Sequence, residues 1–361
     1  MQRVPIIDVT DLYHPAQDPG DNFDIVTAYA LPEIDLRAVV LDVTDKFRNP
    51  YTYDDNPWKR DIMGHAKEPG FIPMTQMNAV FGRRVPHAAG PFRPMRSQDD
   101  PLDDVPPFQQ QGIELIIDTL RASDEPMEIV SFGSARAIAA AFNREPDLLR
   151  RRVKRVHLSA GSTSRHFLEW NVLLDPHAIV RLLTSGLPVA IYPCATGDGP
   201  FAYGRHNSFW KLERLDFIRQ MDAKLRRYLV YALGRSTRAD FLRALEQEPD
   251  EAVLSAVCAI SHNVWETAVW MEAANRKLVR RENSDCRIVP ATEVLPGDEV
   301  LPGGLKPCSV SVYPDGSYTF EPVEDRRETG FWIYDRGDDP YANEAALREA
   351  LPALYVSFRT I

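Results

Sequence analysis

Cysteine is scarce in this chain. Its 361 residues include four, Cys194, Cys258, Cys286 and Cys308, which lie far apart and form no C-x-x-C pair. That spacing excludes a zinc ribbon, a dithiol redox centre and a disulfide framework. Long apolar runs are missing as well: nowhere do about 18 apolar residues follow one another. The opening MQRVPIIDVTD carries no hydrophobic stretch of signal-peptide length. The sequence therefore predicts a soluble, cytoplasmic protein with no membrane partner. Long basic runs are absent too, and the formal net charge is −10. Nucleic acid is excluded as a partner, because gripping phosphates needs a concentrated basic face. The cluster RRRVKR at 150–155 falls between a predicted helix and a predicted strand and reads as solvated surface. Internal repeats and low-complexity segments are missing.

The composition, 44% hydrophobic and 26% charged, is that of a globular chain long enough to bury a large core. Short β-branched runs (RVPIID, LRAVVLDV, MEIVSFGS, RVHLSAG, LPVAIYPCAT) read as buried strands. Between them GIELIIDTLRAS, ARAIAAAFNREPDLLR and DPHAIVRLLTSG have helical spacing, the last ending at Gly186, a good residue just past a helix C-terminus. Strands alternating with helices predict an α/β fold: a mostly parallel sheet flanked by helices, with a Rossmann-type core. Residues 85–111 are proline-rich and predict a long ordered or lid-like loop. Residues from about 207 to 280 read as helical. CSVSVYPDGSYTFEPV reads as a small hairpin around Pro314-Asp315-Gly316. We expect one domain over 1–361: a sheet core over 1–200, a helical part of the site over 201–285, and a C-terminal hairpin and tail over 286–361.

The stretch IIDVTDLYHPAQDPGDNFDIVTAYAL, residues 6–31, carries five aspartates, Asp8, Asp11, Asp18, Asp21 and Asp24. It follows the first predicted strand, so it lies at the carboxyl edge of the sheet, where such folds bind ligands. Asp24 stands before IVTAYAL, and its plain role is to cap that helix. Five acids around one loop repel one another unless a positive charge sits among them, and Ca²⁺ or Mg²⁺ would meet that need. The spacing is not that of an EF-hand. A solvated cap and a cation site both remain open on the residues alone.

At this point the chain resembles a family, the inosine–uridine preferring nucleoside hydrolases. Their opening strand, DxDPGxDDA loop and helix are similar to DVTD followed by DPGDNFDIVTAYALPEIDLRAVVLDVT, with about six residues inserted. IVSFGSARAIAAAFNREPDLLRRRVKRVHLSAG resembles the family's strand–GPLTNLA–helix–strand–MGG segment. EWNVLLDPHAIVRLLTSGLPVAIYPCAT resembles its EFNxxxDPxAAxxVLxSGxPIxLVPLDVT segment. MTQMNAVFGRRVPHAAGPFRPM resembles the part before PVYAGA. Together these cover most of residues 4 to 200.

The resemblance implies a fold, a reaction and a set of residues. Acids of the first loop would bind Ca²⁺, and one of them, Asp11 or Asp18, would also activate the attacking water. Asp24 matches the second of the family's paired aspartates, and Asp21 could stand in for the first, which is Phe23 here and cannot bind metal. Glu169 and Asn171, with Trp170 between them, match the family's EFN, which holds the ribose hydroxyls; on the residues alone they read as a loop with two solvated polar groups. The carbonyl offered to Ca²⁺ within GPLTN falls at Arg136. The late helix-start acid falls best at Glu266, with His262 four residues earlier on the same helix face, and Asn263 as a further candidate. His14, His65 and His87 are loose candidates for protonating the leaving base.

Such a site would cleave the N-glycosidic bond of a nucleoside or related riboside. Its oxocarbenium-like transition state needs a nearby nucleophile and electrostatic stabilisation. The family often forms dimers or tetramers, so a homo-oligomer is expected. Two alternatives stand beside this reading. Phe23, and Leu41-Asp42 where the family has GN, favour a catalytically silent binder of nucleosides or sugars. DVTD after a first strand also allows a Mg²⁺-dependent phosphohydrolase of haloacid-dehalogenase type, although DVTDL has the wrong spacing for that loop.

Overall fold

The computed structural model describes residues 3–45, 67–283, 285–324 and 329–361; His65 lies outside them. Among these residues the central sheet has nine strands. They are β1 (Val4–Thr10), β2 (Ile34–Leu41), β3 (His87–Ala89), β4 (Met127–Ser131), β5 (Val153–Leu158), β6 (Val189–Ile191), β7 (Gly304–Val312), β8 (Tyr318–Pro322) and β9 (Phe331–Asp335). Their spatial order is β8-β7-β9-β6-β5-β4-β1-β2-β3. From β3 through to β9 every pairing is parallel. The hairpin of β7 and β8 adds antiparallel strands to the β9 edge, so it extends the sheet instead of standing apart.

The apolar runs become strands because both faces are covered. In β1, Ile6 packs into the core on one side, while Ile7 and Val9 pack into the core on the other. Helices Pro19–Ala30, Phe71–Val80, Ala223–Leu233 and Pro340–Ser357 cover the Ile6 side. Helices Pro107–Ala122, Arg136–Arg144 and Pro176–Thr184 cover the other. Gly186 takes φ +78° just past its helix, as its position predicts.

Two local expectations are corrected and a third is narrowed. The helix expected over ARAIAAAFNREPDLLR breaks at Glu145, because Pro146 starts a second helix, Pro146–Arg152. The 207–280 segment is mixed: Trp210–Leu212 pairs antiparallel with His262–Val264, and Arg276–Arg280 pairs with Cys286–Pro290. Of the two readings of the proline-rich 85–111 segment, ordered rather than lid-like holds: it carries β3 and the start of helix Pro107–Ala122, and none of it lines the cavity described below. It is pinned by Arg93 to Asp100 at 3.1 Å and by the contacts of Arg93 and Arg96 with Asp104.

Strand order reverses between β1 and β4, since β1 leads to β2 and β3 on one side and β4 to β6 lie on the other. In open α/β sheets that switch point, at the carboxyl ends of the strands, is where a crevice forms.

Candidate active site

A cavity of about 570 Å³ opens at that switch point, a size suited to a small-molecule ligand. The loop after β1 supplies Asp11, Asp18 and Asp21; the ends of β4 and β5 supply Phe132 and Ser159. Glu169, Trp170 and Asn171 form a second wall, and Asn263, Trp265 and Glu266 a third. The structure thus brings together acids that the sequence separates by more than two hundred residues.

The first helix begins earlier than its apolar run suggests. Asp18 is the cap: its backbone is extended, its Oδ1 accepts from Gly20 N at 2.7 Å, and Pro19 fills the first helical position. Asp24 is therefore not the cap. It lies in the second turn, 2% exposed, with Oδ1 accepting from the Trp270 indole at 2.6 Å. Phe23 turns away into the apolar core and stacks on Tyr355 and His262.

Burial sets the electrostatics of the acid loop. It pushes Asp11, Asp21 and Asp24 well above the usual carboxylate range, and their neighbours add to the shift: Asp18 for Asp11, Asp11 for Asp21, Asp8 for Asp24. Asp8 itself, which we did not single out as a ligand, is fully buried and raised to about 8, again by burial. Asp11 and Asp21 act on each other's carboxyls, as do Asp8 and Asp24. Glu266 is raised to about 7 by burial and then by Asp18. Gly20 leaves room for it, since a Cβ there would stand 2.8 Å from Glu266 Oε1. The Asp18, Asp21 and Glu266 carboxyls thus gather at the positive end of the first helix.

The second wall is buried, not a solvated loop. Glu169 caps the helix Trp170–Leu174: Oε1 accepts from Asn171 N at 3.0 Å and Oε2 from Gly161 N at 2.8 Å. Burial raises it to about 7 against those bonds. Asn171 Nδ2 donates to Phe132 O at 3.1 Å and to Ser159 O at 2.9 Å. Its amide therefore ties the ends of β4 and β5 together, and its Oδ1 remains for a ligand.

Other expected residues do not reach the cavity. Arg136 is completely buried elsewhere; its guanidinium donates to Asp175 at 2.9 Å and to Pro91 O at 2.7 Å. It opens a helix, so its carbonyl lies in the first helical turn, away from the cavity lining. His262 sits on a strand rather than one turn before Glu266, and burial lowers it to about 3. It is a neutral core histidine. His14 stacks on Tyr231 and His87 bonds Val85 O; neither lines the cavity. Asn263 does, beside the aromatic rings of Trp265 and Phe201. Lys67 and Arg235 also line it, and no sequence pattern marked them.

Residues 72–292 match the model of the inosine-uridine preferring nucleoside hydrolases. The chain belongs to that family. The match begins after the acidic loop. Among curated relatives, a pyrimidine-specific ribonucleoside hydrolase, RihA, of Citrobacter koseri is 27% identical over 197 residues, 48% of this chain and 57% of that protein. An uncharacterised protein of Schizosaccharomyces pombe is 28% identical over 190 residues, 49% of this chain and 58% of that one. The chain thus spans little more than half the length of the curated relatives it matches. A solved purine-preferring ribonucleoside hydrolase from Gardnerella vaginalis aligns with 97% of this chain and 99% of its own at 15% identity, TM-score 0.49.

Membership of the nucleoside hydrolases displaces the phosphohydrolase alternative and raises the question of a metal. Among the described residues no three Asp, Glu, His or Cys side chains already converge as a ligand set. The donor chemistry nonetheless fits a hard cation. Both Asp8 oxygens, Asp21 Oδ2 and Asp24 Oδ2 are buried with no N–H or O–H donor, and Ca²⁺ takes such oxygens. A cation among these acids would offset the mutual repulsion that raises Asp11, Asp21 and Asp24. No helix among the described residues is long and apolar enough to cross a membrane.

Proposed function

We propose that this nucleoside hydrolase relative cleaves the N-glycosidic bond of a nucleoside or related riboside with the help of Ca²⁺. The observation that carries this reading is the buried acid loop at the sheet's switch point, facing Glu169 and Asn171 across one cavity. Asp11, Asp18, Asp21 and Asp24, with Glu266, would hold the ion. Bound there, it would supply positive charge that makes a water more acidic and grips the sugar diol.

The chain's own residues do the rest. Asp11 is the better base of the two candidates, because Asp18 Oδ1 is engaged by Gly20 N. A cation among the acids favours the carboxylate form that a base requires. Glu169 and the free Oδ1 of Asn171 accept from sugar hydroxyls and fix the attack geometry. Trp265, held by its indole bond to Cys194 O at 2.8 Å, and Phe201 offer ring faces to the leaving base. The cytoplasm is the expected compartment and a homo-oligomer the expected state.

A second reading, a binder without turnover, draws support from Phe23, which occupies a ligand position of the resembled loop and is packed in the core. One assay separates the two: release of reducing sugar from a nucleoside panel, with and without chelator. Chelator-sensitive release upholds the hydrolase. Ca²⁺ binding with no release upholds the silent binder.

A further inference from the structure

Among the described residues, two cations at the acidic cavity form no hydrogen bond to a carboxylate. Lys67 and Arg235 both line it, yet neither forms an ion pair among the described residues. Both instead donate to carbonyls of one short stretch of the acid loop. Lys67 Nζ reaches Ala16 O at 2.9 Å and Pro15 O at 3.4 Å; Arg235 Nη2 reaches Gln17 O at 3.3 Å.

This is not how the chain treats its other basic residues nearby. Arg238 grips Asp240 with two bonds of 2.9 and 2.7 Å, and Arg226 reaches Glu248 at 2.8 Å. Arg235 also sits at φ +51°, a left-handed backbone that a non-glycine residue rarely adopts. That conformation ends helix Ala223–Leu233, with Arg235 N donating to Ala232 O at 2.9 Å and Ser236 N to Tyr231 O at 3.0 Å; it sets where the Arg235 side chain leaves the helix. Lys67 is buried, 6% exposed. Burial first, and Arg235 next, bring its ammonium down to about 8, against the pull of Asp21 and Asp18. Asp18 and Asp21 offset part of that repulsion, and an anion bound directly between the two cations would relieve it further. An ammonium has three N–H groups and a guanidinium five; the carbonyls leave donors spare on each.

Both cations act on Asp18 through charge, yet their hydrogen bonds go to the loop's carbonyls and not to its carboxylates. We propose that Lys67 and Arg235 form a subsite for an anionic group, phosphate or carboxylate, so that the cavity takes an anionic riboside in preference to a neutral nucleoside. The word riboside rests on the hydrolase reading above; the anion subsite does not.

The test compares uridine, uridine 5′-monophosphate and orotidine, which carry no anion, a phosphate on the sugar and a carboxylate on the base. In the wild type one anionic probe should exceed uridine in kcat/KM by about tenfold or more, the scale of one charge-assisted contact. Which probe wins identifies where the anion sits. Arg235→Gln and Lys67→Met should each bring that ratio close to unity, whatever they do to uridine itself. Lys67 is buried, so if Lys67→Met does not fold, the exposed Arg235→Gln carries the test alone. Equal loss on all three probes, or no anionic preference in the wild type, overturns the subsite. If no probe is cleaved, the hydrolase reading fails separately, and calorimetry decides the subsite. Binding of uridine 5′-monophosphate or orotidine that Arg235→Gln abolishes upholds it; binding of neither probe overturns it.

Discussion

The indole N–H of Trp270 donates to Asp24 Oδ1 at 2.6 Å, joining residues 246 apart in sequence. One oxygen of Asp24 is thereby held by a late helix, while Oδ2 has no donor. The bond fixes the rotation of the carboxylate.

If Asp24 is a metal ligand, Trp270 is the partner that aims it. Such outer partners are worth about 10–100-fold in metal affinity. Trp270→Phe should therefore weaken Ca²⁺ binding by roughly tenfold while preserving the packing of the ring. A calcium titration by calorimetry measures this directly. An unchanged Kd would show that Asp24 is not oriented for a metal.

Asp24→Asn separates stability from binding. Asp24 is raised by burial, then by Asp8 and Glu266, so in the absence of a cation its charge is a cost to the fold. The amide keeps an acceptor for Trp270 and removes that cost. The chelated variant should melt a few degrees above chelated wild type, yet gain nothing when Ca²⁺ is added. A normal calcium-induced rise in Tm would remove Asp24 from the ligand set.

The pH dependence of the chelated protein follows from the same burial. Glu169 and Glu266 move from 4.5 in the open chain to about 7 in the fold, chiefly through desolvation. A raised acid holds its proton longer when folded than when unfolded. The unfolded state therefore binds fewer protons between those values, and stability falls as pH rises from about 4.5 to about 7. Ligand carboxylates must be deprotonated to bind metal, so added Ca²⁺ should raise Tm most at and above the upper end of that range. Thermal melts at pH 5, 6, 7 and 8 with and without Ca²⁺ check both signs. A chelated Tm that climbs across this interval would contradict the burial argument.

Much of the architecture was readable because periodicity and punctuation agreed. The runs around Ile6, Val130 and Val156 became parallel strands, and the aspartates after the first of them did reach the carboxyl edge. The signal of the observed cap is present in the sequence, since Asp18-Pro19-Gly20 is a cap followed by a proline at the first helical position. The apolar run after Asp24 outweighed it. His262 to Glu266 read as one helix because a three-residue strand is too short for its period to show. Arg136 enters the ligand set only through a backbone carbonyl carried over from the resembled motif, while the helical spacing of ARAIAAAFNR places the helix start where the structure has it. Lys67 and Arg235 meet only through the tertiary fold, so no spacing in the chain could have paired them.

Asn171 is both a girder and a binding group, and its replacement should show both roles. Its Nδ2 satisfies two buried carbonyls, Phe132 O and Ser159 O. Removing a donor from a buried acceptor costs about 1–3 kcal/mol, so Asn171→Ala should lose roughly 2 kcal/mol of unfolding free energy in a denaturant titration. Its Oδ1 is the atom left for the sugar, so KM for a cleaved nucleoside should rise. The acid loop lies on a different wall, and the folded variant should bind Ca²⁺ as wild type does. Calcium affinity lost from a protein that still unfolds cooperatively would move Asn171 to the metal side of the cavity. An unchanged KM would leave it a purely structural tie between the ends of β4 and β5.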